Sequence, residues 1–201
     1  MMHIFNSYCF RLLCFNKQIL LLSFLILNLT IASSQQKDTL LIWDTNYLLT
    51  WDDFMGKEIN NTNNPDALSY LELPLLISYD SNKKPIYTVV ALFNRYKSFT
   101  SKFHYSLLDH EQQHFNILEI FARKIRKSVD ALNKVENTTP QDIFNLYYEY
   151  QDSITNHQHR YDVQTDYSRN WRKQKIWNLI IKNKLQELEN YSVKNYYNLN
   201  N

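Results

Sequence analysis

Residues 107–119, LLDHEQQHFNILE, contain the pentad His110-Glu111-Gln112-Gln113-His114. Residues four apart lie on the same face of an α-helix, so His110 and His114 can direct two imidazole nitrogens at one metal ion. Glu111 lies beside them and can take a proton from a metal-activated water. The spacing therefore predicts a zinc site with Glu111 as general base. The alternative is an ordinary helix that carries two half-buried histidines.

The pentad belongs to a longer pattern with the period of an α-helix. The apolar and histidine positions that share one face are Phe103, Leu107, His110, His114, Ile117, Leu118, Phe121 and Ile125. A second helix is predicted to begin at Thr139-Pro140, with threonine as N-cap and proline in the first turn. A third helix follows an interruption near residues 168–170. The C-terminal half therefore predicts three long helices.

The segment before residue 100 has the character of short β-strands. Residues 40–43 (LLIW) and 86–93 (IYTVVALF) are strand candidates, and Pro74 is expected to bend the apolar stretch 68–79. Residues 81–85 (SNKKP) form a turn between strands. We therefore expect an α+β fold in which a small N-terminal β-sheet precedes the three helices. The expected fold is zincin-like, with the HExxH pentad on the first long helix.

Composition excludes several classes of protein. The single glycine, Gly56, rules out the glycine-rich loops that bind dinucleotides or nucleoside triphosphates. Arg11 and Lys17 account for the excess of 22 basic over 20 acidic residues, so the rest of the chain is near neutral and we expect no nucleic-acid partner. Both cysteines, Cys9 and Cys14, also lie near the N-terminus. The remainder can form neither a disulfide nor a thiolate site.

The N-terminus resembles a secretory signal. Basic residues precede the apolar run 19–32 (ILLLSFLILNLTIA), which is short for a membrane span and ends in small residues. We predict a signal peptide over residues 1–34 and a single domain over 35–201. The protein is then secreted or periplasmic, with no stable membrane span after cleavage. An uncleaved N-terminal anchor is the alternative.

The pentad supplies only two metal ligands. The metzincin pattern is excluded, because Ile117 and Ile120 stand where glycine and histidine are needed. Glu119 is turned about 140° from His114 and is expected to contact a neighbouring helix instead. His104 is expected near the helix start. In residues 157–168 (HQHRYDVQTDYS), a shared helical face offers further candidates, or else a solvated polar surface: His159, Asp162 and Asp166.

Several segments together resemble a bacterial family of predicted secreted zinc-dependent proteases, catalogued as a domain of unknown function. Residues 107–123 (LLDHEQQHFNILEIFAR) resemble its central L-x-H-E-Q-x-H-F-D-I-x-E-x-x-A-R element. In chain order, the other resembling segments are WDDFMG at 51–56, FN at 93–94 with SF at 98–99, YDVQT at 161–165, and Gln174 with Trp177. The resemblance covers most of residues 35–201.

The chain departs from that family at one element. The family's Y-D-x-E-T-x-H-G becomes a segment with Gln164, Tyr167 and Ser168 in place of glutamate, histidine and glycine. The resemblance therefore implies Tyr167 as the third zinc ligand, with Asp162, Asp166 or His159 as alternatives. It implies an exported zinc metalloprotease, a hydrolase that acts on peptides or proteins. The alternative function is a non-catalytic envelope or binding protein with a structural or degenerate zinc site.

Overall fold

A computed structural model describes residues 39–57 and 65–194, and the predicted signal peptide lies outside these residues. The longest element is helix α1, Tyr105–Leu132, which carries the pentad. His104 is the N-cap of α1, which confirms its predicted position near the helix start. The prediction for Phe103 was wrong, because this residue precedes the helix and is 69% exposed. The rest of the predicted stripe lies within α1.

The second and third helices begin near the predicted positions. Helix α2, Pro140–Thr165, starts with a capping box in which Thr139 and Asp142 each bind the other's backbone N–H. Asp166 is its C-cap, and from there the backbone is left-handed for three residues, 166–168. Helix α3, Trp171–Glu187, follows directly and is capped by the side chain of Asn170. This reversal lays α3 back against α1.

Seven short strands form three small antiparallel sheets among the described residues. The pairs are β1–β6, β3–β6, β2–β7 and β4–β5, with β6 in the centre of the three-stranded sheet. The strands are β1 (Leu40–Ile42), β2 (Ala67–Leu68), β3 (Leu71–Glu72), β4 (Leu75–Tyr79), β5 (Pro85–Val89), β6 (Leu92–Asn94) and β7 (Phe99–Thr100). The α+β prediction is confirmed: small sheets come first and three helices follow.

The predicted single strand over residues 86–93 is wrong. This run is divided between β5 and β6, which belong to different sheets. The strand pairing is interrupted at Val90 and Ala91. The carbonyl oxygen of Ala91 accepts a hydrogen bond from the backbone N–H of Trp43 at 3.0 Å. Because β6 has a neighbour on each side, this part of the run has no edge to offer an added strand.

The hydrophobic core lies between α1 and the sheets and between α1 and the other two helices. Phe93 and Phe115 join β6 to α1, with ring centroids 5.8 Å apart. On the other side, Ile143, Tyr161 and Ile181 bring α2 and α3 against α1, and each is at most 1% exposed. Since burial of such a side chain contributes about 1.5–3 kcal/mol, this packing fixes the position of α1 between both layers.

Glu119 is fully buried, and its predicted contact with a neighbouring helix is wrong. It forms ion pairs with Arg123 and Arg126 of its own helix, at 2.9 and 3.0 Å. Arg126 in turn links α1 to other elements, because it donates to the backbone oxygens of Val89 in β5 and of Tyr191 after α3. A buried carboxylate is tolerated when it is paired and hydrogen-bonded in this way. As predicted, Glu119 does not join the histidines.

The single glycine lies where two segments of backbone meet. The N–H of Gly56 donates to the carbonyl oxygen of Ser98 at 2.7 Å. A Cβ atom at this position would come within 2.7 Å of that oxygen and 2.9 Å of the Tyr96 oxygen. Asp53, three residues earlier, forms a buried ion pair with Arg95 at 2.9 Å. Residues 51–56 and 93–99 therefore pack as one unit.

Residues 39–57 and 65–194 all fall within one compact part of the chain, Gln36–Asn201. In this described portion, none of the helices is both long enough and apolar enough to cross a membrane.

Candidate metal centre

The two histidines of the pentad converge as their spacing predicts. His110 and His114 lie one turn apart on α1, and their Nε2 atoms are 3.1 Å apart. His110 is 3% exposed, and its ring stacks on Tyr161 of α2 with centroids 4.6 Å apart. Packing thus holds both imidazoles in place on the face of α1 that meets α2.

Asp162 of α2 completes a group of three possible ligands. Its Oδ1 atom lies 3.1 Å from His110 Nε2 and 2.8 Å from His114 Nε2. A tetrahedral ion with bonds of about 2.0–2.1 Å holds its ligand atoms about 3.3 Å apart. The triangle is within a few tenths of an ångström of that size. His110, His114 and Asp162 therefore form a group that can hold a metal ion.

Two glutamines set the protonation of the imidazoles. His114 Nδ1 is 2.6 Å from Gln158 Oε1, and His110 Nδ1 is 3.2 Å from Gln174 Oε1. The amide orientations are fixed independently, since Gln158 Nε2 donates to the His114 carbonyl and Gln174 Nε2 donates to the Tyr161 hydroxyl. Amide oxygens only accept, so each Nδ1 carries a proton, and in the neutral imidazole each Nε2 presents a lone pair.

Three electron-pair donors therefore face one another, and such a cluster needs a positive charge at its centre. Burial opposes charge on His114, but the hydrogen bond to Asp162 and the nearby charge of Glu111 outweigh it and raise the pKa of His114. Burial likewise works to raise the pKa of Asp162, yet the two imidazoles hold this pKa well below its usual range. A proton on His114 or a metal ion can meet the same requirement.

A second layer of side chains holds this group in place. The Tyr161 hydroxyl donates to the His110 carbonyl at 3.2 Å and accepts from Gln174 at 2.6 Å. Burial raises the pKa of Tyr161 far above its usual value, so this hydroxyl stays protonated. Thr165 places its hydroxyl 3.4 Å from His110 Nδ1. All three helices therefore contribute to the orientation of His110.

Glu111 lies next to the group, on the wall of a large cleft. It is 4% exposed, and its Oε2 atom accepts the backbone N–H of Ser69 at 3.0 Å. The cleft has a volume of about 920 Å³ and lies between residues 65–73, α1 and the second half of α2. His110, His114 and Asp162 line it as well. The possible metal ligands and the carboxylate therefore face the same space.

The other third-ligand candidates lie near this cleft and outside the group. Tyr167 lines the cleft and is 51% exposed, with a left-handed backbone. His159 also lines it and is exposed. Asp166 caps α2, and its side chain lies 3.9 Å from Arg169. Tyr167 as a ligand stays a prediction, whereas the described geometry places Asp162 with the histidines.

Two contacts of the site escaped the sequence analysis. Gln158 was not singled out, although it lies one helical turn before Asp162 on the face that meets α1. The Ser69 backbone contact with Glu111 spans 42 positions and involves no side chain of Ser69. Gln174 appeared only within the family resemblance. Gln164, at a position where the resemblance expects glutamate, accepts a hydrogen bond from Trp177 Nε1 at 3.0 Å.

Searches against protein-family models, curated proteins and solved structures found no match to this chain.

Proposed function

We propose that this protein is an exported zinc-dependent peptidase with a zincin-like catalytic helix. One observation carries the proposal: two imidazoles with Nδ1 protonated and one carboxylate converge beside a second, buried carboxylate in a large cleft. Two histidines and a carboxylate are the ligand set of many hydrolytic zinc sites, and a water completes the coordination. In this assignment, His110, His114 and Asp162 hold zinc. Export rests on the signal-like residues 1–34.

The residues of the chain divide the chemistry as follows. Bound zinc supplies a Lewis acid that acidifies water and polarises the substrate carbonyl. Glu111 takes the proton from the attacking water and passes it to the departing amine nitrogen. The Ser69 N–H holds Oε2 of Glu111 in place and leaves Oε1 to accept the proton. Gln158 and Gln174 hold a proton on each Nδ1, which leaves Nε2 as the nitrogen that would bind the metal.

The test has two steps. Elemental mass spectrometry of the purified chain should find about one zinc per chain, and this zinc should be lost in His110→Ala and in Asp162→Ala. A ten-residue peptide library should be cleaved by the parent chain, whereas Glu111→Gln should keep zinc and lose cleavage. Absence of zinc after supplementation at neutral pH would contradict the assignment.

A second function is a non-catalytic envelope or binding protein with a structural zinc site. The observation that favours it is at Gln164, whose side chain binds Trp177 where the resembling family has a glutamate. Under this interpretation, zinc stabilises the fold, and the peptide library remains intact. Zinc retention without cleavage, in the parent and in Glu111→Gln alike, would favour this second function.

A further inference from the structure

The cleft carries polar groups that the folded chain leaves unpaired. Ser69 Oγ and Gln151 Nε2 are both buried, and within residues 39–57 and 65–194 neither has a hydrogen-bond partner. Both residues line the cleft. Buried donors without partners cost free energy, and they recur at sites where a ligand supplies the missing bond.

These two groups lie at different distances from the candidate metal centre. Ser69 is beside it, because its backbone N–H binds Glu111. Gln151 is eleven residues before Asp162 on α2, which places it about 16 Å away along the helix axis. An extended peptide advances about 3.3 Å per residue, so about five residues span this distance.

Between these two groups, a row of apolar side chains lines the cleft beside Thr155 and Gln158 of α2. This row consists of Leu71 and Leu73 from the β3 segment, Leu118 from α1 and Ile154 from α2. Leu118 lies one turn beyond His114, and Ile154 lies one turn beyond Gln151, so the apolar stretch runs from the metal ligands toward Gln151. We name this stretch, with Gln151 at its far end, the apolar arm.

We propose that the apolar arm binds an extended peptide whose apolar side chains pack on Leu118 and Ile154 and whose backbone carbonyl accepts from Gln151 Nε2. This inference rests on the proposed function for the site of attack, and it adds the specificity-determining residue. The strands on one side of the cleft favour an extended ligand. Among the described residues, β2 and β3 each pair on one side only, so each has an edge to which an extended peptide can add as a further strand. Ser69 Oγ then binds the peptide close to the metal ligands.

If Gln151 binds the far end of the peptide, its loss should affect long peptides and spare short ones. Damage to the fold would instead weaken the binding of all peptides alike. Loss of the Gln151 amide should weaken binding only for peptides long enough to reach it, about five residues from the metal group. The variant is Gln151→Leu, which keeps the volume and removes the donor. Its matched control is Gln141→Leu, which removes an exposed amide of the same helix that bonds only Asn145 among the described residues.

The experiment uses zinc-loaded Glu111→Gln chain, so that binding is measured without cleavage. A ten-residue peptide library, with one position at a time fixed as leucine or serine, first identifies the preferred positions by retention and mass spectrometry. Fluorescence anisotropy then measures the best labelled peptide and versions shortened from either end. We expect leucine to be preferred, and Gln151→Leu to bind the full peptide about tenfold more weakly, with a short peptide unaffected.

Each outcome bears on one proposal. Equal weakening of long and short peptides by Gln151→Leu, an equal effect of Gln141→Leu, or no preference for leucine over serine would overturn the apolar arm. Failure of every peptide to bind would overturn it as well. Binding with the expected length dependence, but without cleavage by the parent chain, would keep the arm and reject the peptidase.

Discussion

Removal of the Gln158 amide tests whether the imidazoles are held ready for a metal. In Gln158→Met, the side chain keeps a similar length but loses the acceptor 2.6 Å from His114 Nδ1 and the donor to the His114 carbonyl. Without that acceptor, the His114 ring is free to rotate and to place its proton on Nε2. We expect zinc to bind more weakly, while the residues that would ligate it remain in place.

The magnitude follows from the geometry. The bond is short and partly buried, and its donor becomes more acidic once the opposite nitrogen binds a cation. A hydrogen bond to such a charged group is worth about 1.5–3 kcal/mol, which is about a 10- to 100-fold change in affinity. This range agrees with the usual effect of losing the partner of a metal-ligating histidine.

The assay is a competition titration of metal-free chain against a chromophoric zinc chelator at pH 7.5. Gln164→Met is the matched control, since this glutamine lies on the same helix and accepts from Trp177 rather than from an imidazole. Urea unfolding of both metal-free variants separates loss of affinity from loss of the fold. If Gln158→Met binds zinc as tightly as the parent chain, the role given to the Nδ1 hydrogen bond is refuted.

Three further predictions concern pH and stability. Because the pKa of His114 is raised, a proton competes with zinc above the ordinary histidine range, so affinity in the chelator assay should rise with pH beyond 6.5; a flat profile from pH 6.5 to 8.5 would contradict this. Glu119→Gln breaks a fully buried pair with Arg123 and Arg126 and should lower the free energy of unfolding by about 3–5 kcal/mol, measured in urea; a loss below 1 kcal/mol would show that the arginines find other partners. Gly56→Ala forces a Cβ against the Ser98 oxygen and should cost about 1–3 kcal/mol in the same assay, whereas an unchanged midpoint would show that this backbone can shift.

The sequence was most informative where the deciding contacts are local. His110 and His114 are four residues apart, so the helical period alone brings them together. Thr139-Pro140 predicted the start of α2, because a cap depends on neighbouring residues. The prediction of a single strand over residues 86–93 was wrong because no local signal separates β5 from β6. Val90 and Ala91, which lie between these strands, are as buried as the strand residues, so the pattern of apolar residues does not show where β5 ends.

The third possible ligand depended on tertiary packing. His159, Asp162 and Asp166 have spacings that share a helical face, and the sequence could not choose among them. The choice is made by where α1 crosses α2, which points Asp162 at the imidazoles, and by the end of α2 at Thr165, which removes Asp166 from the helical face. The Gln158 contact spans 44 positions, so local spacing did not reveal it.

The support of His110 by Gln174 has a consequence for the order of events in folding. The candidate metal group joins α1 to α2, and its orientation also requires α3, which is synthesised after both of them. Contacts between such distant positions form late, because each must first overcome the entropy of closing a long loop. Tight capture of a metal ion should therefore follow docking of α3. Under the proposed export, a chain that crosses a membrane unfolded would then acquire its metal at its destination, from the supply of that compartment.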